Sequence, residues 1–159
     1  DMRCNAETFA QMYEAVYLDL YRFAVCMMRD RQEAEDAVSE AVVAAYENIG
    51  KLRSRDAFKN WIFTILANIC RKKLKKASRK MEQSGEAYTL FASEEPDYSE
   101  MIDVRKAFFV LSDEEQEIVG LSVFAGYNSQ EIAQMLRMNP NTVRSKRSRA
   151  LQKMGCILK

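Results

Sequence analysis

Histidine is absent from this sequence, so the side chain that most often moves protons near neutral pH is missing. The four cysteines stand apart at Cys4, Cys26, Cys70 and Cys156, with no C-x-x-C pair, so the ligand spacing of a zinc site is missing too. We therefore expect a protein that is not an enzyme and that needs no metal or other cofactor. Cys26 and Cys70 lie in apolar stretches, where a buried structural thiol is favoured over a redox sensor.

Turn-forming residues are scarce, with five glycines and two prolines in 159 residues. Strand-like alternation is also missing, whereas helix-forming residues such as Ala, Leu, Met, Glu and Lys are plentiful. With 48% apolar and 30% charged residues, the composition is that of a folded globular protein. The sequence predicts an all-α fold.

Long uncharged runs are absent as well. The apolar run from Asn60 to Cys70 falls well short of the roughly 20 residues that a membrane-spanning helix needs. The N-terminal region carries acids where a signal peptide has a basic and then an apolar segment. The sequence predicts a cytoplasmic protein without membrane insertion.

The last thirty or so residues have the pattern of a helix-turn-helix. Asn128 and Glu131 have the spacing of a capping box, and Asn139 followed by Pro140 opens a second helix. The second helix has a broken apolar stripe, made of Val143, Ala150, Leu151 and Met154. It also carries five bases, and no acid follows Ile132: Arg144, Lys146, Arg147, Arg149 and Lys153.

Two interpretations of this basic hairpin are open. A helix whose capped N-terminus faces outward has the geometry that reads base edges in the major groove. A solvated basic face on an ordinary helical hairpin would have the same composition. The compact hairpin, with the small Ala133 where two helices must approach, favours DNA recognition.

Two helices are predicted near the N-terminus, over Thr8 to Met28 and from about Gln32 to Asn48. The first half of the second helix carries a cluster of acids: Glu33, Glu35, Asp36 and Glu40. Carboxylates near a helix N-terminus interact favourably with the helix dipole, so dipole and solvation alone can explain them. The alternative is an acidic patch for a basic partner.

A polar loop from Lys51 to Asp56 precedes a third helix, which begins at Ala57. We expect Trp61 in this helix to belong to the core rather than to a base-stacking platform. From residue 59 to residue 80 there is no acid but eight bases, which form a second electrostatic footprint: Lys59, Arg71, Lys72, Lys73, Lys75, Lys76, Arg79 and Lys80.

The domain organisation follows from changes in composition. Residues 5–80 form a first helical domain, and residues 81–103 form an acidic linker with Gly85 and Pro96. Residues 104–156 form a second domain, in which Ser112 and Glu115 have capping-box spacing. The predicted fold is therefore two small helical domains, the second a helix-turn-helix.

Taken in order, these segments resemble the extracytoplasmic-function group of the sigma-70 family, the small two-domain sigma factors of bacterial RNA polymerase. The resemblance extends over nearly the whole chain and rests on six strings in the right order: Tyr21-Arg-Phe-Ala, Glu33-Ala-Glu-Asp-Ala-Val-Ser-Glu40, Phe58-Lys-Asn-Trp-Ile-Phe-Thr-Ile-Leu-Ala-Asn-Ile, Leu111-Ser-Asp-Glu-Glu-Gln, Glu131-Ile-Ala and Asn141-Thr-Val-Arg-Ser-Lys.

The resemblance implies partners and sites. Core RNA polymerase would bind the acidic positions Glu33, Glu35, Asp36 and Glu40. The promoter's minus-ten element would be captured and opened by the loop and the third helix, through Lys51, Arg53, Ser54, Arg55, Lys59, Asn60, Arg71 and Lys72. The minus-thirty-five element would be read by Asn141, Thr142, Arg144, Ser145, Arg147, Ser148, Arg149 and Lys153. Whether an anti-sigma factor also binds the chain is left open.

Three residues depart from the family's pattern. Arg29 and Arg137 stand where many relatives have a turn glycine, and Arg147 takes a commonly apolar position. If the aliphatic stem of Arg147 packs and its head extends outward, the fold is kept and gains an extra phosphate or base contact. Two other classes of protein remain: a free-standing helix-turn-helix regulator that binds duplex DNA without polymerase, and a helical adaptor, which would leave both basic faces unexplained.

Overall fold

The computed structural model describes residues 6–28, 30–84 and 106–158. Every regular element in these ranges is helical, which confirms the all-α prediction. Six helices and two single-turn 3-10 helices follow one another: α1 (Ala6–Met27), α2 (Arg31–Glu47), 3-10 turns at Ile49–Lys51 and Arg55–Ala57, α3 (Phe58–Ser84), α4 (Asp113–Val123), α5 (Ser129–Leu136) and α6 (Pro140–Leu158). Residues 106–109 are also helical. Within these ranges, no helix is both long and apolar enough to cross a bilayer.

Helices α1, α2 and α3 form the N-terminal lobe. The buried side of α2 consists largely of alanine, at positions 34, 37, 41 and 45, so its neighbours approach its backbone closely. Larger side chains from α1 and α3 fill the space between them: Met12, Val16, Leu20, Phe23, Phe58, Ile62, Phe63 and Leu66. Cys26 and Cys70 are buried, as predicted, and burial raises the pKa of the Cys70 thiol to about 12.

The C-terminal lobe, residues 106–158, contains α4 and the helix-turn-helix of α5 and α6. The buried Gln116 donates a hydrogen bond from Nε2 to the backbone oxygen of Phe108 at 2.7 Å, which ties α4 to the helical segment at 106–109. Val143, Ala150 and Met154 form the buried stripe of α6. Leu151, predicted in that stripe, is 38% exposed instead, because it follows Ala150 directly and so points about 100° away around the helix.

Local capping fixes where the helices of this lobe begin. Ser112 and Glu115 form a reciprocal capping box at α4, and Asn128 and Glu131 form another at α5. The Asn139 side chain accepts a hydrogen bond from the Asn141 backbone N–H at 2.8 Å. The structure confirms all three predicted caps.

The two lobes share one apolar core, an arrangement that periodicity alone does not predict. Ile118 and Leu121 of α4 are fully buried in the same cluster as the side chains of α1 and α3. Tyr127 packs edge-on against Phe63, with 5.9 Å between ring centroids. Gly120 lies so close to Phe23 that a Cβ there would stand 2.9 Å from two ring atoms. A glycine is needed at this contact.

Helix α3 continues through Ser84, so its last turn overlaps the start of the predicted linker. The remainder of that linker and Arg29 lie outside the described residues. Arg137 ends α5 in the left-handed region, with φ 56° and ψ 49°, a conformation that glycine adopts more readily.

Candidate nucleic-acid and polymerase interfaces

The acidic residues of α2 lie on more than one side of the helix. Glu33, Asp36 and Glu40 are spaced by three and four residues and share a face, whereas Glu35 lies at the opposite edge and pairs with Arg31 at 3.7 Å. Glu33 is half-buried, while the others are exposed. The same face carries Val43, whose side chain is 56% exposed. α2 therefore presents carboxylates next to an apolar side chain, a combination that suits a basic helix.

The loop before α3 is held at one point and open elsewhere. Leu52 is buried, which anchors the loop to the N-terminal lobe. The predicted minus-ten residues of the loop are exposed: Lys51, Arg53, Ser54 and Arg55. Ser54 has extended backbone geometry at the start of the second 3-10 turn, where its hydroxyl makes no capping hydrogen bond. Asn60 is exposed on the first turn of α3.

Lys59 does not join the exposed loop residues. Its ammonium group donates a hydrogen bond to the backbone oxygen of Ala125 at 2.8 Å and lies 5.3 Å from the ring centroid of Tyr127. Both partners belong to the C-terminal lobe. Trp61 is half-buried and packs near Phe58, with 6.3 Å between ring centroids, as a residue at the edge of the core does.

Arg71 is likewise held by the C-terminal lobe. Its guanidinium forms a two-point ion pair with Glu117 of α4 and donates to Asn68 Oδ1 at 2.8 Å. Burial raises the pKa of Glu117, although the hydrogen bond and charge of Arg71 oppose that shift. Arg71 and the exposed Lys72 are 13 and 14 residues along α3 from Phe58, a rise of about 20 Å. They therefore form a group separate from the loop.

The first turns of α6 present the predicted minus-thirty-five residues to solvent. Asn141, Thr142, Arg144 and Ser145 are exposed, and Arg144 Nη1 donates to Asn141 Oδ1 at 2.6 Å. Ser148 and Arg149 are exposed further along. Arg144 therefore stands beside the capped N-terminus, where a recognition helix enters the groove.

Two predicted cations of α6 point elsewhere. Arg147 is half-buried and donates from Nε to Ser122 Oγ at 2.7 Å, so its head lies against α4 instead of extending outward. Lys153 is 3.0 Å from both carboxylate oxygens of Glu115. Ser122 offers the Arg147 guanidinium a partner within the lobe, so the condition of an outward head is not met in this structure.

Sequence reasoning missed the acids at the start of α4 as charge partners. Glu114 pairs with Lys146, Glu115 with Lys153, and Glu117 with Arg71. Burial alone would raise the pKa of Glu115, but hydrogen bonds from Ser112 and Lys153 lower it. Four acids lie between residues 113 and 117, more than one capping box needs. This excess was the feature of the sequence that could have indicated partners for basic residues.

No cluster of three or more Cys, Asp or Glu side chains suited to a metal occurs among the described residues.

Comparison with known proteins gives matches along most of the chain. Sigma-70 region 2 matches residues 12–80, and sigma-70 region 4 matches residues 103–154. The ECF RNA polymerase sigma factor SigM of Mycobacterium tuberculosis is 26% identical over 150 residues, covering 94% of this chain and 76% of the relative. The RNA polymerase sigma factor SigV of Bacillus subtilis is 26% identical and covers 86% of this chain and 82% of the relative.

A solved structure has the same fold. The sigma factor RpoE, in complex with the anti-sigma factor NepR from Bartonella quintana, superposes with a TM-score of 0.85 at 24% identity, covering 96% of this chain and 98% of that one. CnrH, in complex with the cytosolic domain of CnrY, gives a TM-score of 0.73 at 21% identity and covers 97% and 89%. Both region matches occur in the expected order. The chain therefore belongs to the sigma-70 family, in its extracytoplasmic-function group, and is an RNA polymerase sigma factor.

Proposed function

We propose that this chain binds bacterial core RNA polymerase and directs initiation at promoters that carry a minus-ten and a minus-thirty-five element. The observation that carries the proposal is that one chain has two separate surfaces with exposed cations, the loop before α3 with Lys51, Arg53 and Arg55, and the outer side of α6 with Arg144 and Arg149. A sigma factor needs both, because it contacts two promoter elements at once. It works as a non-catalytic DNA-binding regulator in the cytoplasm, where the polymerase acts.

The polymerase contact is assigned to the acidic face of α2. Asp36 and Glu40 are exposed and precede Val43 on the same face of α2, so a basic helix of the polymerase can place cations on the carboxylates and an apolar side chain on Val43. Glu33 supports this face from its half-buried edge. Glu35 lies at the opposite edge of α2, paired with Arg31, and contributes only to the overall negative charge of the helix.

The minus-ten element is assigned to the exposed loop. Lys51, Arg53 and Arg55 supply cations for the opened strand, and the free hydroxyl of Ser54 and the amide of Asn60 are available to a flipped base. Lys59 and Arg71 can join them only by leaving Ala125 and Glu117. A contribution of these two residues to promoter opening therefore requires the C-terminal lobe to move away from α3.

The minus-thirty-five element is assigned to α6, with Arg144 and Asn141 as base-reading residues and Thr142, Ser145, Ser148 and Arg149 along the groove. Arg147 and Lys153 reach DNA only if they release Ser122 and Glu115. An anti-sigma factor is proposed as a further partner, by analogy with the RpoE complex.

The experiment is gel filtration with core polymerase, followed by transcription in vitro. The parent should co-elute with the core enzyme and start transcripts at a subset of promoters. Reversing charge at Asp36 and Glu40, both to Lys, should weaken co-elution while leaving the fold intact. The matched control reverses two exposed acids of α1, Glu7 and Glu14, and should bind like the parent.

Equal affinity of the α2 variant and the parent would remove that surface from the proposal. A chain that binds promoter duplex but never co-elutes with polymerase would instead be a free-standing helix-turn-helix regulator.

A further inference from the structure

The outer side of α3 carries a row of exposed cations, most of which have no part in the proposed promoter contacts. Five bases lie within the same 140° arc of the helix, opposite the buried Cys70 and Leu74, and all five are exposed. We call them the α3 cation stripe: Lys72, Lys75, Lys76, Arg79 and Lys80.

The bases that flank the stripe are neutralised, whereas the stripe is not. On one side Arg71 pairs with Glu117 of α4, and on the other Lys73 pairs with Glu40 of α2 at 3.3 Å. None of the five stripe residues has an ion pair with any acid in the described part of the chain. The neighbouring acids therefore pair with the bases that flank the stripe, and the stripe itself is available to an external anion.

Helix stability does not account for this placement. The helix dipole favours cations only within the last turn, and Lys72, Lys75 and Lys76 precede Ser84 by two to three turns. Three pairs within the stripe stand four residues apart, at 72 and 76, 75 and 79, and 76 and 80. Like charges at this spacing destabilise an isolated helix. An anion with regularly spaced charges would remove that repulsion.

The dimensions of the stripe match a DNA strand. From Lys72 to Lys80 the helix rises about 12 Å, a length along which one strand of B-DNA presents about three to four phosphates. The middle of the stripe, Lys76, lies 18 residues from Phe58, or about 27 Å along α3. That distance corresponds to about eight base pairs of duplex.

We propose that the α3 cation stripe binds the phosphate backbone of the duplex between the two promoter elements, about eight base pairs from the base captured by the loop. This inference rests on the proposed function, because it takes the loop before α3 as the minus-ten site. α3 runs from that loop toward the segment that leads to the C-terminal lobe, so its far end lies on the minus-thirty-five side. The contact is independent of sequence and positions the spacer duplex across the protein.

The test compares two double variants in holoenzyme reconstituted with core polymerase. Lys76→Gln with Arg79→Gln removes one lysine and one arginine from the stripe. Arg22→Gln with Lys106→Gln removes the same two residue types from exposed positions elsewhere. Promoter affinity is measured between 50 and 200 mM salt.

Loss of two phosphate contacts should reduce the slope of log affinity against log salt by about 1.8. The ratio of the parent's affinity to the variant's affinity should therefore fall about twelvefold between 50 and 200 mM salt. The control variant should keep the slope of the parent.

A second promoter carries neutral methylphosphonate linkages six to ten base pairs to the minus-thirty-five side of the captured base. On this DNA the parent should show the flattened slope, and the stripe variant should lose nothing further. A stripe variant with the slope of the parent on natural DNA overturns the inference.

The inference is also overturned if the two substitutions flatten the salt slope, relative to the parent, by the same amount on natural DNA and on methylphosphonate DNA. The cations would then contact phosphates outside the substituted region. A stripe variant that binds promoter DNA more tightly than the parent would also overturn it, and would point to the acidic segment 81–103 as the ligand. Failure of the proposed function looks different, since the parent itself would then direct no transcription.

Discussion

Replacing Gly120 with alanine tests whether the lobes pack together in solution as they do here. A Cβ at this position would stand 2.9 Å from Cδ1 and Cε1 of Phe23. The Phe23 ring is fully buried and packs edge-on against Phe63 at a centroid distance of 6.0 Å, so it has little room to move. Overpacking of a core typically costs about 1–3 kcal/mol. Alanine is favoured over glycine inside a helix by about 1 kcal/mol.

The two effects have opposite signs, and the contact between lobes decides which one wins. With the lobes packed, we expect Gly120→Ala to lower the free energy of unfolding by about 1 kcal/mol. The matched control is Gly155→Ala in α6, where an added Cβ meets nothing within 4 Å. This variant should gain up to about 1 kcal/mol. Urea denaturation followed by circular dichroism measures both changes, and an equal gain in the two variants would refute the packing of α4 on α1.

Two further predictions concern the helix-turn-helix. Arg144→Ala should weaken the free energy of binding to the cognate minus-thirty-five sequence by about 1–3 kcal/mol and relax the preference at one base pair, whereas Arg149→Ala should weaken binding to all sequences alike. Binding to a library of single-base variants distinguishes the two effects. A uniform loss of affinity in Arg144→Ala would make that residue a phosphate contact. Arg137→Gly should raise the free energy of unfolding by about 0.5–1 kcal/mol, because glycine adopts the left-handed conformation at φ 56° without strain; unchanged stability in thermal denaturation would contradict that reasoning.

Much of the fold could be predicted because its signals are local. The capping boxes at Ser112 and Asn128 each join residues three apart, and the spacing of Leu20 and Phe23 marks a buried helix face without reference to any partner. The same holds for the exposed recognition residues, since Asn141 and Arg144 follow directly from the position of the Asn139 cap. Such features depend on helix geometry alone.

The pairing of functional cations could not be predicted, because it depends on contacts between distant segments. Arg71 and Glu117 are 46 residues apart, and Lys59 meets the backbone of Ala125 across 66 residues. A sequence pattern cannot show that Ser122 Oγ lies 2.7 Å from Arg147 Nε, so the direction of the Arg147 head could not be predicted. A basic residue in a sequence indicates available charge, but only the packing of the lobes determines which charges are free to bind DNA.

The capping boxes of α4 and α5 affect how the C-terminal lobe behaves when it separates from α1 and α3. Each box satisfies its first-turn N–H groups with a side chain of the same lobe, at 3.2 Å for Glu115 and 2.8 Å for Glu131. These hydrogen bonds survive separation, whereas the apolar surface of Ile118 and Leu121 becomes exposed to water. Hydrogen exchange at the two helix starts is therefore governed by unfolding of the lobe itself and not by the opening of the interface. A C-terminal lobe that separates from α1 and α3 therefore keeps the starts of α4 and α5, and with them the helix-turn-helix, intact.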